Sequence, residues 1–368
     1  MMRETEGLRP SWRGLFGIGL IVSLSFGGLT LLIAAVTGLP LRDPDGFLGP
    51  SYVRLPLIVG AMIALDIVPR ALLRRPPVRA LGEEIVRVMK ARWPLSRLAI
   101  VAAGLATFYV AYVAYRNLKS FLPFLRDHLS DPWLVATDEW LALGHHPGNV
   151  LHELLGTGVS AEVLSWVYIF FLTFVPFSLA AALVWSTQLA RGAWYATALS
   201  FNWIIGTMTY YVIPSLGPIY VERFRFADLP DTEVSGLQNS LWNNRLEVLA
   251  GPHATQSVHG IAAFASLHVS IVFTAALVGH LVRLPQVVRV ALWVFVVLTA
   301  LATVYFGWHY LLDVVAGFGV GALSVGLAAL AVRRGAGPGL PLPTRPGDVR
   351  AGAAPRSALS DAAGVAPV

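Results

Sequence analysis

The chain is 368 residues long, 56% hydrophobic and only 13% charged, with a mean hydropathy of +0.65 and a formal net charge of +6. Those values exclude an ordinary soluble domain. The arginines behind the positive charge lie in short links between apolar runs, so they describe membrane topology rather than a nucleic-acid surface. No cysteine is present, which excludes disulfides, thiolate metal sites and cysteine nucleophiles.

Eight apolar runs follow in chain order, at residues 13–37, 52–73, 97–116, 163–186, 193–213, 262–282, 287–306 and 309–332. Each is long enough for a span, which takes about 20 residues. The expected fold class is therefore all-α, a polytopic membrane protein of about eight transmembrane helices. The apolar part of the first run exceeds the roughly 7 to 15 residues of a secretory signal, so a retained span is expected, with a seven-span chain after signal removal as the alternative.

Lys and Arg are held back on the cytoplasmic side. The link between the second and third runs carries Arg70, Arg74, Arg75, Arg79, Arg87, Lys90, Arg92 and Arg97, which makes it cytoplasmic. Segments 117–162 and 214–261 then lie outside, and they hold Asp127, Asp131, Asp138, Asp228 and Asp231. Arg191, Arg283 and Arg289 fall in inner links, and Arg333 and Arg334 close the last span, so both termini are expected in the cytoplasm. In the outer segment, Phe121-Leu122-Pro123-Phe124 and Trp140-Leu141-Ala142-Leu143 suggest short amphipathic helices in the interface. The tail, residues 333–368, turns to Gly, Pro and Ala without apolar period and is expected to be a disordered cytoplasmic segment.

The chemistry gathers in 262–317. Ser266-Leu267-His268 opens one run, the next ends near Tyr305, and His309-Tyr310-Leu311-Leu312-Asp313 opens the last, so both histidines return to one membrane face. His309 and Asp313 are four apart at a helix start and share a face. The carboxylate can take a proton from one ring nitrogen and leave the other as nucleophile. Two helix starts would also offer unpaired amides and partial positive charge to a phosphate. That arrangement suits phosphoryl transfer without a metal. Interfacial histidines more commonly serve packing or hydrogen bonding, but two at one depth are harder to explain that way, since polar groups in spans are costly.

At these residues the sequence resembles the type-2 phosphatidic acid phosphatase superfamily, in its inositol phosphorylceramide synthase-like branch. Ala265-Ser266-Leu267-His268 is similar to the family's second motif, and Thr303-Val304-Tyr305-Phe306-Gly307-Trp308-His309-Tyr310-Leu311-Leu312-Asp313 to its third. The resemblance covers about Ser96 to Val332. It implies two additional N-terminal helices and a basic link over 1–95, and a six-helix phosphatase or phosphotransferase core over 96–332. It also implies that His309 forms a phosphohistidine, that Asp313 orients it, and that His268 is the general acid and then the base.

The chain departs from the family in two places. Thr303 stands where the third motif has an arginine, and the first motif, Lys, six residues, then Arg-Pro, is absent from the end of the fifth run. Tyr210-Tyr211-Val212-Ile213-Pro214-Ser215-Leu216-Gly217-Pro218 stands there instead and resembles a proline-rich segment of the synthase-like branch. Lys119 and Arg126 have the first motif's separation but come two spans too early, which reads as coincidence. Candidate phosphate contacts are Ser266, Tyr211, Arg116, Arg223, Arg225 and Arg245, each arginine equally readable as a solvated charge.

No metal or cofactor is expected. His145, His146, His152 and Glu153 are candidate metal ligands and His152-Glu153 begins like a zincin helix, but position 156 is Gly156 rather than the second histidine that motif needs. His253 and His259 flank the approach to the sixth run, Asp66 and Arg70 form a local pair, and Asn202 reads as an interhelical hydrogen-bonder. The reading is a membrane enzyme acting on lipid phosphates, pyrophosphates or phosphodiesters at the outer face, with water or an alcohol as acceptor and no nucleic-acid partner. Twenty-five Arg against two Lys suggest the plasma membrane of a high-GC bacterium. The rival is a transporter or scaffold with structural histidines, which would place broken helices or paired charges at mid-membrane.

Overall fold

The computed structural model describes residues 11–44 and 49–336. Eight helices follow the eight apolar runs: α1 (Trp12–Thr37), α2 (Ser51–Leu73), α4 (Leu95–Leu125), α7 (Val159–Trp185), α8 (Leu189–Val212), α11 (Leu267–Leu281), α12 (Gln286–Tyr305) and α13 (Leu311–Ala336). Shorter helices fill the links: α3 (Leu81–Arg92), α5 (Asp131–Leu141), α6 (Pro147–Leu155), α9 (Pro218–Val221) and α10 (Glu233–Ala250). The tail from 337 to 368 lies outside the described residues, and Arg333 to Ala336 continue α13.

Helix ends follow local chemistry. The Ser11 hydroxyl caps α1 through the Gly14 amide at 3.1 Å, and Gly38 ends it at φ +70. Thr232 and Ser235 form a capping box on α10, and Ser266 caps α11 through the Val269 amide.

Six helices, α1, α2, α4, α7, α12 and α13, are long and apolar enough to cross a membrane. The two others of the eight fail that test for different physical reasons. α8 is surrounded by α1, α4, α7, α11 and α13, and most of its residues are buried, so it can carry Thr197, Ser200, Asn202 and Thr207 without exposing them to lipid. Its Asn202 amide donates to the Thr274 hydroxyl at 2.9 Å, the interhelical bond expected of it. α11 has 15 residues, about 22 Å at 1.5 Å each, and an irregular segment supplies the rest of its approach.

α1 packs against α4, α8 and α13. Gly104 of α4 lets this happen, because a Cβ there would sit within 2.7 Å of the Phe16 ring and 2.6 Å of Leu183. α4 runs nine residues past the expected end at Arg116, so Phe121 to Phe124 are its last turns rather than a separate interfacial helix. The helix continues because Asn117, Leu118, Lys119, Ser120 and Phe121 are buried against the bundle. At the end of the bundle away from the histidines, Asp66 binds Arg70, Arg92 Nε at 2.9 Å and Trp93 Nε1 at 3.1 Å, a larger cluster than the expected local pair.

Candidate active site

His268 sits in the first turn of α11, His309 in the tight turn joining α12 to α13, and Asp313 in the first turn of α13. Gly307, at φ +67, makes that turn possible, and the Trp308 and His309 amides both donate to the Thr303 carbonyl, at 2.9 and 3.2 Å. The Ser266 amide donates to the Asp313 carbonyl at 3.0 Å, tying the two helix starts together.

The result is a line of three groups. His309 Nδ1 lies 3.3 Å from Asp313 Oδ2, and His309 Nε2 lies 3.2 Å from His268 Nδ1. Asp313 also accepts from the Tyr310 amide at 2.9 Å, which fixes the carboxylate. With Nδ1–H donated to Asp313, the lone pair of His309 is on Nε2 and points at His268. Tyr168 and Phe171 of α7 hold the His268 ring, with centroids 4.8 and 4.5 Å away, and Tyr168 stacks on Trp308 at 5.1 Å. Nothing in the sequence of α7 marks Tyr168 or Phe171 apart from its other aromatics.

The expected anion site at the start of α13 is occupied by the protein itself. Asp138 of α5 accepts from the Leu311 amide at 2.9 Å and the Leu312 amide at 3.4 Å, so the α13 N-terminus already faces a carboxylate. The Ser266 hydroxyl is spent on Val269. A phosphate placed at α13 would meet Asp138 rather than free amides, which corrects the expectation drawn from helix dipoles. Burial pushes the Asp138 carboxyl up to about 6, against the pull of those amides.

Positive charge comes from α4 instead. A cavity of about 520 Å³ is lined at one end by His268, His309, Arg116, Lys119, Tyr210 and Trp308. Lys119 is 7% exposed, 4.9 Å from the Tyr210 ring, and its ammonium makes one long hydrogen bond, 3.4 Å, to the Tyr115 hydroxyl. Arg116 Nε and Trp308 Nε1 are buried without a hydrogen-bond partner. Lys119 thus lines the cavity, while Arg126, whose guanidinium reaches toward exposed His128 at 3.5 Å, stays outside, so the structure does not bring the pair together. The signal was present in that Lys119 is one of two lysines in the chain.

The other candidates are placed elsewhere. Tyr211 donates its hydroxyl to the Leu118 carbonyl at 2.7 Å and is not part of the cavity wall. Arg223 reaches Asn239 at 2.9 Å, and Arg225 is paired with Glu222 at 2.8 Å and Glu139 at 3.0 Å. Arg245 donates to His259 Nε2 at 3.0 Å, and burial, with Arg245 beside it, holds His259 well below its ordinary range. His152 contacts the Tyr305 carbonyl at 2.8 Å, and among the described residues no group of three His, Cys, Asp or Glu could hold a metal.

Beyond the histidines the cavity becomes apolar, passing Tyr115, Phe171, Trp203, Tyr112, Phe108 and Val175 between α4, α7 and α8. Tyr115 and Trp203 stack at 4.6 Å. Arg54 and Leu55 of α2 complete the side, and among the described residues no Asp or Glu lines the space.

Against known proteins, a family model described as the PAP2 superfamily matches residues 132–327. No curated protein and no solved structure matches the chain.

Proposed function

The chain belongs to the PAP2 superfamily, a family of phosphatase-type enzymes, and from that premise we propose a membrane phosphatase or phosphotransferase that carries the phosphoryl group on His309. The observation that supports this most is the His268, His309, Asp313 line beside Lys119 and Arg116 in a largely apolar cavity.

In the proposed reaction Lys119 and Arg116 bind the phosphate oxygens by charge-assisted hydrogen bonds. The substrate enters between the two imidazoles and displaces their mutual contact. His309 Nε2 attacks phosphorus, the bond to the leaving oxygen breaks, and protonated His268 gives that oxygen its proton. Asp313 stabilises the charge that develops on His309, as a carboxylate orients an imidazole in other nucleophilic sites. In the second half, neutral His268 takes a proton from water or an alcohol, which attacks the phosphohistidine and frees His309. The same groups serve hydrolysis and transfer; the Ser266-Leu267-His268 form favours the synthase-like branch without naming an acceptor.

The substrate class follows from the cavity. An anionic head beside two histidines, Lys119 and Arg116, with a hydrocarbon part along Trp203, Phe108 and Val175, describes a lipid phosphate, pyrophosphate or phosphodiester. In the proposed topology α8 and α11 complete eight spans, and the arginines around α3 favour a cytoplasmic position for that end. The site then faces the outer side of a bacterial plasma membrane.

Two imidazoles and two side-chain cations supply nucleophile, acid and charge neutralisation, so turnover in EDTA is expected within about two-fold of that in buffer alone. Loss of phosphate release restored by Mg2+ would contradict it. Purified protein offered labelled lipid phosphates with and without alcohols, its products identified by mass, separates the outcomes. Free phosphate marks hydrolysis, a new phosphodiester marks transfer, and no phosphorus chemistry on any lipid defeats the proposal.

A further inference from the structure

We infer that α5 is the frame on which both histidine-bearing segments are hung, with Asp131 and Asp138 as positioning residues for phosphoryl transfer. This rests on the reaction proposed above. The two aspartates are seven residues apart and so lie on one face of α5, and they are 1% and 2% exposed. Buried carboxylates are costly unless their oxygens are hydrogen-bonded. These two spend their oxygens on the segments that deliver the imidazoles.

Asp138 takes the first amides of α13, Leu311 and Leu312, two and three residues after His309. Asp131 takes the Leu216 amide at 3.0 Å, the Gly217 amide at 3.0 Å and the Tyr310 hydroxyl at 2.9 Å. The segment held at Leu216 and Gly217 in turn holds the approach to α11. The Ser215 carbonyl accepts from Ala263 at 3.0 Å, and the Ser215 hydroxyl accepts from the Phe264 amide at 3.0 Å. Ser266 and His268 follow at once.

One rigid element thus fixes His309 directly and His268 through a single relay, and Tyr310 links the two aspartates' territories. Gly217 allows the close approach: at φ +101, a Cβ there would lie 2.5 Å from the Trp308 carbonyl oxygen. Leu134, fully buried, and Glu139, paired with Arg225 at 3.0 Å, anchor α5 beside the two aspartates, while Trp133 and Trp140 are 53% and 77% exposed. A displacement of about 1 Å between reacting groups can cost around 100-fold in rate, so the separation of the imidazoles is a catalytic quantity.

The test compares the wild-type protein with Asp138→Ala, Asp138→Asn, Asp131→Ala and Tyr310→Phe. Each is offered dioleoyl phosphatidic acid, undecaprenyl pyrophosphate and p-nitrophenyl phosphate in detergent micelles. The alanine variants are expected to lose about 10- to 100-fold in kcat with KM within about three-fold, as when an orienting partner of a reacting group is removed. Asp138→Asn, which keeps an acceptor oxygen, should recover part of the loss. Tyr310→Phe removes one hydroxyl and leaves the carboxylates in place; it should lose several-fold in kcat, and it decides the matter if an alanine variant does not fold. A wild-type protein active on any of the three, with kcat unchanged in folded variants or only KM altered, overturns this inference alone. A wild-type protein silent on all three overturns the reaction on which it rests.

Discussion

Lys119→Met is expected to lower kcat/KM by about 100- to 1000-fold while leaving the protein as stable as before or more so. The two effects have opposite signs for one reason. A buried ammonium with a single long hydrogen bond to Tyr115 is a cost to the folded state, and methionine fills nearly the same volume without it. In the proposed transition state the same ammonium faces the phosphoryl oxygens in a cavity that no described Asp or Glu lines, where one charged donor is worth roughly 3 to 4 kcal/mol. Lys119→Arg, which keeps the charge, should recover part of the activity. Turnover of a lipid phosphate and thermal unfolding in the same detergent check both halves. A variant that loses stability and activity together would make Lys119 a packing residue and nothing more.

His309→Ala should abolish turnover, with a loss of at least about 1000-fold, and keep the fold. His309 is buried, but its polar contacts are confined to the site: its ring meets Asp313 at 3.3 Å and His268 at 3.2 Å, and its amide meets Thr303. No helix depends on its side chain for a cap. Gel filtration and melting of the variant beside the wild type establish the fold, and phosphate release establishes the activity. Asp313→Asn should fall less far, because the nucleophile survives while its preferred tautomer is lost.

Much of this arrangement is written in the chain, and the gaps have physical causes. The eight helices coincide with the apolar runs because hydrocarbon-length segments announce themselves by composition. α8 is legible as apolar and yet not lipophilic enough to stand alone, since burial among five helices frees it from the rule that governs lipid-facing surfaces. The convergence of His268 and His309 follows from two apolar helices, α11 and α12, turning back on one face. Lys119 was set aside because it comes two spans before the place of the family's first motif, and only the continuation of α4 past Arg116 turns that charge inward. The α13 start was assigned to phosphate because its amides are visible in any sequence, but the Asp138 carboxylate that covers them is not. Asp131 and Asp138 read as loop acids until α5 folds and sets them on one face. Arg223 and Arg225, by contrast, do behave as loop charges, held by Asn239, Glu222 and Glu139. Tyr211 stands beside Tyr210 in sequence, but on a helix neighbouring residues point about 100° apart, and only Tyr210 faces the cavity.

The most direct measurement is to quench the purified enzyme in alkali during turnover of a lipid phosphate and locate the bound phosphoryl group by peptide mass spectrometry. The account predicts a base-stable, acid-labile phosphate on His309, absent from His309→Ala. A phosphate on any other residue, or a fully active enzyme that never carries one, would contradict it.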